Sequence, residues 1–179
     1  MSIAMCAATA AELPDPVLRD VLAYWRSLGG GRGLPSADEV YPLGMGARIL
    51  PHILLIDVEA GGGLRYRLCG TAIDQMAGRP LKGVAVDGNH PNAEYNDFLL
   101  TLYRRAITGR RPIYSETSYL SPNSGGLRTT RRLLCPLSHD GVTVTRLLGA
   151  QTFQAGRRRS LEVPLSEIQK FQIGPIREL

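Results

Sequence analysis

Residues 52–70, HILLIDVEAGGGLRYRLCG, contain the pattern that decides the fold. The first part of this stretch has four consecutive apolar side chains, which is typical of a strand buried on both faces. Three glycines at 61–63 then indicate a turn, and Tyr66 and Leu68 alternate with arginines after it. Because successive side chains of a strand point to opposite faces, this second strand has one buried and one solvated face. The stretch therefore predicts an antiparallel hairpin.

An amphipathic helix is predicted upstream of the hairpin. Asp15 and Pro16 are typical of a helix N-cap and of the first helical position, and a run of glycines from residue 29 favours termination. Apolar residues recur between these signals at helical spacing. We expect this helix either to cover the outer face of its own sheet or to pair with a partner. In the second case the partner or dimer surface would consist of Val21, Leu22 and Trp25.

Two further helices and three strands are predicted downstream. Residues 71–77 form the shorter helix, and residues 93–108 form a longer one with an apolar stripe. The dipeptide Asp140-Gly141 indicates a hairpin between the last two strands. The three predicted strands are residues 113–120, 127–137 and 142–153. This order excludes a parallel βαβ sheet and predicts an α+β fold, a five-stranded antiparallel sheet with helices on one face and the extra N-terminal helix.

The length of 179 residues, with 44% hydrophobic and 21% charged residues, fits one globular domain. We assign residues 1–14 to a flexible leader, residues 15–155 to a single domain and residues 156–179 to a C-terminal tail. A short helix is predicted from Ser166, because Gln169 completes a capping box.

The cysteines and the hydropathy pattern favour the cytoplasm. Cys6, Cys69 and Cys135 are far apart and form no CxxC pair, so neither a zinc site nor a disulfide framework is indicated. No apolar stretch approaches the roughly 20 residues that a membrane-spanning helix needs. We therefore expect a cytoplasmic protein that contacts no membrane and binds no metal.

Two stretches of the sequence resemble PAS domains. Residues 69–83, CGTAIDQMAGRPLKG, look like the segment after the second PAS strand, where a short helix ends in glycine and a second glycine follows. Residues 133–141, LLCPLSHDG, look like the fourth PAS strand and its turn. The pairs Tyr24-Trp25, Leu34-Pro35 and Leu50-Pro51, the strand that ends in Asp57-Val58 and residues 66–71, YRLCGT, resemble a bacterial family of stand-alone, single-domain PAS proteins of about this length. The resemblance covers residues 15 to 155 and implies the PAS fold and a signalling role.

The resemblance implies either a small ligand held between the long helix and the sheet, or a partner protein. We expect a mostly apolar pocket that suits a small hydrophobic or aromatic compound, unless the side chains pack tightly and leave no cavity. The pocket would be lined by Tyr66, Leu68, Met76, Phe98, Leu102, Leu133, Cys135, Leu147 and Gly149.

The cofactors of other PAS domains are not predicted. Haem-binding members need an axial ligand, usually a histidine facing the pocket, and the long predicted helix has none. His52, His90 and His139 fall at a strand start, in a loop and in a turn, and His90 is the best candidate because it precedes the long helix. Flavin-binding, light-sensing members use an Asn-Cys-Arg motif that the sequence lacks. Binding of another small ligand, of unknown identity, is an open alternative.

Two other function classes are alternatives for this sequence. A small enzyme with an apolar pocket would need an acid–base pair, and the nearest pair, His52 and Asp57, would point to opposite faces of a strand. No other catalytic residue is predicted. A basic nucleic-acid-binding module would depend on the net charge of +5 and the arginines at 157–159. The sequence shows no aromatic platform for stacking bases, so nucleic acid is not the expected partner.

The sequence therefore favours a non-enzymatic PAS sensor or adaptor in bacterial signal transduction. We expect it to bind a small ligand, a partner protein or a second copy of itself. Because no output domain is visible in the sequence, the response would be passed on by protein contact.

Overall fold

The computed structural model describes residues 13–29, 33–90, 92–120, 127–155 and 171–179, which form three α-helices and six strands. The helices are α1 (Pro16–Ser27), α2 (Thr71–Ala77) and α3 (Ala93–Gly109). The strands are β1 (Ile53–Val58), β2 (Leu64–Cys69), β3 (Ile113–Leu120), β4 (Leu127–Ser138), β5 (Val144–Ala155) and β6 (Phe171–Glu178). Two short 3-10 turns, Pro42–Met45 and Leu50–His52, precede β1.

The six strands form one antiparallel sheet in the order β2-β1-β5-β4-β3-β6. The predicted α+β class is confirmed, but the predicted number of five strands was wrong. β6 pairs with β3 at one edge, although it contains Gly174 and Pro175. Glycine and proline are depleted in strands, and proline is tolerated in a sheet only where its missing donor does no harm, such as an edge, so local propensity does not predict a strand in this part of the predicted tail. The helix predicted from Ser166 lies outside the described residues.

Helices cover both faces of the sheet. α2 and α3 pack on one face, which we call the α3 face, where Leu54, Ile56 and Leu134 are buried. α1 packs on the other, which we call the α1 face, where Leu133 and Leu148 are buried. Neighbouring residues of the central strands therefore belong to two different cores, as the alternation of a strand requires.

α1 packs its apolar stripe against its own sheet. Asp15 caps the helix, since its Oδ1 accepts a hydrogen bond from Val17 N at 2.9 Å. Val21 and Leu22 are both 0% exposed, and burying such side chains stabilises a fold by about 1.5–3 kcal/mol each. Trp25 is half-buried, and its Nε1 donates to Pro136 O at 2.8 Å. The prediction that Val21 and Leu22 form a partner or dimer surface was therefore wrong, because neither side chain reaches solvent.

A bulge in the first hairpin determines which of its side chains share a face. The pairing register between β1 and β2 shifts between Leu55 and Ile56, so that Leu55 lies opposite Leu68 and Ile56 lies opposite Tyr66. The extra residue, Arg67, reverses the alternation. Leu68 therefore packs on the α1 face, whereas Tyr66 packs on the α3 face.

Candidate functional site

Most residues predicted to line the pocket do lie on the α3 side of the molecule. Met76 of α2 is half-buried, with its Sδ 3.7 Å from Arg128 Nη1. Gly149 lies opposite Leu54, whose Cδ1 would be only 2.5 Å from a Cβ at this position. The absence of a side chain at Gly149 therefore makes room for Leu54 and does not itself open a cavity. The others in this group are Tyr66, Phe98, Leu102 and Leu147.

Leu68, Leu133 and Cys135 were assigned to the wrong face. All three pack in the core beneath α1, so the sheet separates them from the rest of the predicted pocket. The bulge between β1 and β2 turns the side chain of Leu68 to the α1 face. For Leu133 and Cys135 the reason is that β4 is apolar on both faces at this point, which leaves no alternation to indicate the correct side. Leu134, between them, is the residue that faces α3.

Polar side chains form two rows across the α3 face of the central strands. Strand pairing sets Ser115 beside Arg132, and Arg132 beside Gln151. We call these three residues the arginine row. Residues two positions apart on a strand share a face and lie about 7 Å apart. The adjacent row on the same face, the threonine row, contains Thr117, Thr130 and Phe153.

Arg132 is a buried cation without a carboxylate partner among the described residues. It is 3% exposed, and its Nη2 donates a hydrogen bond to Tyr95 Oη at 3.2 Å. Its Nε carries one N–H and its Nη1 carries two. Neither atom has a hydrogen-bond partner in the described part of the chain. Burial lowers the pKa of the guanidinium, but the net shift of its pKa is upward, and a guanidinium is not deprotonated in proteins, so Arg132 is charged.

Tyrosines surround this cation. Tyr66 of β2 is 5% exposed and Tyr103 of α3 is fully buried, and burial is the main reason why the pKa of each phenol is raised. Both are therefore neutral at pH 7 and do not compensate the charge. The two hydroxyls are close enough to influence each other's pKa. Tyr103 Oη nevertheless makes no hydrogen bond of normal geometry with the described residues.

Further buried polar atoms on this side have no hydrogen-bond partner in the described ranges. They are Ser115 Oγ and Thr117 Oγ1 on β3, and Asn96 Oδ1 on α3. Native proteins satisfy the large majority of their buried polar groups, and an unpaired buried charge costs several kcal/mol. Buried groups of this kind are hydrogen-bonded by a bound molecule or by ordered water, so their gathering on one face around a cation indicates a candidate binding site.

His90 lies at the outer end of this site. Its ring centroid is 4.5 Å from that of Tyr95, and its Nδ1 accepts a hydrogen bond from Asn92 N at 3.1 Å. The pKa of His90 is lowered, mainly by burial and in part by the positive charge of Arg132. The imidazole is therefore neutral at pH 7. His90 was predicted to lie just before the long helix, and α3 begins three residues later, at Ala93.

A separate cleft of about 580 Å³ lies beside Leu55 and Leu68 and does not include the arginine row. Three cations line it. Arg146 is paired, because its Nε donates to Asp57 Oδ1 at 2.7 Å and its Nη1 donates to Ala37 O at 3.3 Å, whereas Arg67 and Lys82 are exposed to solvent. None of these three cations combines burial with missing hydrogen-bond partners, as Arg132 does.

The other candidate chemical groups are inactive or occupied. Burial raises the pKa of Cys69 to about 12 and also raises that of Cys135, so both thiols stay protonated at neutral pH. His52 Nδ1 lies 3.0 Å from Gln151 O, and Asp57 accepts hydrogen bonds from arginines, so the two residues have different partners. Within the described ranges, no cluster of three or more His, Cys, Asp or Glu side chains is arranged to hold a metal ion.

Comparison with protein families matches most of the chain. A family model described as PAS domain covers residues 14–152. The chain belongs to the PAS domain family. The match begins just before α1 and ends within β5, so it includes α3 and nearly all of the two polar rows of this PAS domain. The comparison with curated proteins gave no match. Of the helices in the described residues, none has the length and apolar character needed to cross a bilayer.

The arginine row of the PAS domain was not among the predicted site residues. The signal was present in β4, where Arg132 and Thr130 have the same parity as Leu134, which faces α3. If Leu133 and Cys135 faced the pocket, as predicted, the alternation of the strand would direct Arg132 to the opposite face. A charged residue at a core-facing position would otherwise have indicated a binding site.

Proposed function

We propose that this PAS domain is a sensory module of signal transduction that binds a small ligand between α3 and the sheet. PAS domains are generally sensory, non-catalytic modules, and the family is shown for this chain. The observation that supports ligand binding is Arg132, a 3% exposed cation with N–H groups that find no partner among the described residues. A bound molecule would supply the missing partner.

The position of these groups also suggests how binding produces a signal. Arg132 belongs to β4, whereas Tyr95 and Tyr103 belong to α3. A ligand that contacts both would bind one arrangement of α3 and the sheet more tightly than others, and a ligand shifts an equilibrium only by such a difference. We propose that a partner protein responds to this shift. Partner binding, homodimerisation and a cytoplasmic location stay predictions.

Native mass spectrometry of freshly purified protein tests the proposal. We expect a species heavier than the chain by the mass of a small molecule, and the loss of that extra mass on denaturation. The Arg132→Met variant should lose the extra mass. The Arg131→Met variant, which also removes one positive charge from β4, should retain it. A wild-type protein that carries no small molecule, and whose melting temperature does not respond to a metabolite extract, would contradict ligand binding.

A further inference from the structure

Arg132 differs from neighbouring arginines of the sheet in having no carboxylate partner among the described residues. Arg131, next to it in sequence, donates from Nε to Glu116 Oε2 at 3.1 Å, and Arg146 Nε donates to Asp57 Oδ1 at 2.7 Å. The side chains of Arg131 and Arg146 are 22% and 13% exposed, so both are less buried than Arg132. The most buried of the three cations is therefore the one that lacks an anion.

The groups around Arg132 are suited to an oxyanion. A carboxylate accepts hydrogen bonds only, and a guanidinium presents N–H groups in a planar fork that matches its two oxygens. The hydroxyls of Tyr103, Ser115 and Thr117 are further donors without a partner in the described residues. Ser115 is directly beside Arg132 in the arginine row, and Thr117 is one row away. One carboxylate near Arg132 would thus find several donors.

The net charge at this place limits the ligand to a monoanion. The next arginine on the same face of β4, Arg128, is four residues away, which is roughly 13 Å along a strand. It is only half-buried and lies against Met76. A single negative charge would neutralise Arg132, whereas a phosphate dianion or a dicarboxylate would leave a buried negative charge without a partner.

The surroundings of the polar rows are apolar. Leu99 and Leu102 of α3 are 8% and 2% exposed, and Phe153 of the threonine row packs in the same core. A ligand held at Arg132 would therefore place the rest of its surface against aliphatic and aromatic side chains, which favours an apolar body.

We infer that the ligand is an organic monocarboxylate, with its carboxylate on the Arg132 guanidinium and its apolar body against α3. This inference depends on the proposed function, because it names the ligand class of the same site. It assigns recognition of the charged group to Arg132 of the sheet and recognition of the body to α3.

Nuclear magnetic resonance of the arginine side chains tests the carboxylate assignment without requiring the natural ligand. Formate and acetate are small enough to report on the charged group alone. We expect each to shift the Nε–H signal of Arg132 in a saturable way in the wild-type protein, while chloride at equal ionic strength and the neutral analogues formamide and acetamide do not. Benzoate should bind at least about tenfold more tightly than acetate, because it adds an apolar body.

Two matched variants control this experiment. Arg132→Met should weaken benzoate binding at least about thirtyfold, the effect expected when one member of a buried charge pair is removed. Arg131→Met removes the same charge from the adjacent position of β4, where Glu116 already pairs with it, and should change the affinity less than about threefold. Arg132→Lys keeps the charge but not the planar fork, so it should bind with intermediate affinity.

The outcomes separate this inference from the proposed function. If formate and acetate leave the Arg132 signal unchanged while native mass spectrometry shows a retained neutral molecule or a dianion, the ligand class is wrong and ligand binding stands. If inorganic phosphate or succinate binds more tightly than benzoate, the monocarboxylate assignment is also wrong. If no small molecule binds, both fail. Equal loss of benzoate binding in Arg131→Met and Arg132→Met would show non-specific attraction to positive charge.

Discussion

The α1 face and the α3 face belong to the same strands but differ in the polarity of the side chains that they bury. Where α1 packs, the sheet contributes Leu133, Cys135, Leu148 and Ala150, all 0% exposed and all apolar. On the opposite face of the same strands, the positions beside these residues include Arg132, which is buried and only partly hydrogen-bonded. The sheet is therefore apolar directly beneath α1, whereas its opposite face contains a buried cation.

This difference indicates which helix has a structural role and which a role in binding. Apolar burial alone is sufficient to hold α1 on the sheet, and its packing needs no ligand. α3 covers groups whose desolvation is not compensated by the described residues, so the apo state there is less stable than it could be. Proteins retain such a deficit mainly at functional sites. Substitutions on the two faces should therefore differ in their effect on stability.

The largest effect is expected on the α1 face. Leu22→Ala should lower the free energy of unfolding by about 2–5 kcal/mol, because it leaves a cavity at a side chain that is 0% exposed beneath the helix. Urea unfolding followed by circular dichroism measures this change. Leu43→Ala is the matched control, since Leu43 is 69% exposed, and we expect a change within about 0.5 kcal/mol. Similar values for the two variants would mean that α1 does not seal the sheet.

On the α3 face, a substitution should have the opposite sign. Arg132→Met should raise the free energy of unfolding of the ligand-free protein by about 1–4 kcal/mol, because it replaces an uncompensated buried charge by an apolar side chain of similar length. The measurement is urea unfolding after the protein has been unfolded, dialysed and refolded to remove bound molecules.

Arg131→Met is the control for this stabilisation. It breaks the half-buried ion pair with Glu116 and should lower the free energy of unfolding by no more than about 1 kcal/mol. If Arg132→Met destabilised the ligand-free protein as strongly as Leu22→Ala does, Arg132 would be a structural residue, and the contrast between the faces would not hold.

A smaller loss is expected from Trp25→Phe at the edge of the α1 face. The phenyl ring keeps much of the contact with the sheet but lacks the N–H that donates to Pro136 O at 2.8 Å. A hydrogen bond of this kind contributes about 1 kcal/mol. The variant should therefore unfold at a lower urea concentration with an unchanged m-value. A variant as stable as the wild type would show that packing alone positions the ring.

Much of the fold was predictable because local signals and the tertiary structure agree. The alternation of Tyr66 and Leu68 with arginines identified β2, and Asp15-Pro16 identified the start of α1, which begins at Pro16. Local sequence signals did not identify a strand whose formation depends on tertiary pairing. β6 contains Gly174 and Pro175 and is a strand because it pairs with β3. Local propensity does not report such an edge pairing.

The site was less predictable than the fold, for two physical reasons. The bulge beside Ile56 reverses the facing of Leu68 relative to Tyr66, and one extra residue in a hairpin has no reliable sequence signal. β4 is apolar on both faces near Leu134, so its parity depends on which helix covers which face. An error of one position exchanges the two faces completely. The one-position error in β4 is also the reason why Arg132 was not predicted to face α3.

The smallest effect concerns pH and His90, at the outer end of the α3 face. Its pKa in the folded protein is below the ordinary value of 6.5, owing to burial and to the charge of Arg132. The unfolded chain therefore binds a proton more readily than the folded protein does. Stability should not depend on His90 well above pH 6.5, should fall as the pH drops through 6.5, and should level off below the folded pKa. Urea unfolding from pH 8 to pH 5, for the wild type and His90→Gln, isolates this slope as their difference.

The titration of His90 also reports the charge state of the α3 face. Removing the cation with Arg132→Met should raise the pKa of His90 towards 6.5, as measured from its ring proton shifts, and leave the part of the lowering that burial causes. Saturation with benzoate should raise it in the same direction, because a carboxylate at Arg132 neutralises the same charge. Arg131→Met should leave the pKa of His90 unchanged, since its cation pairs with Glu116 on the other face. If the His90 pKa responded equally to both arginine substitutions, it would be sensing net charge and not the unpaired cation beneath α3.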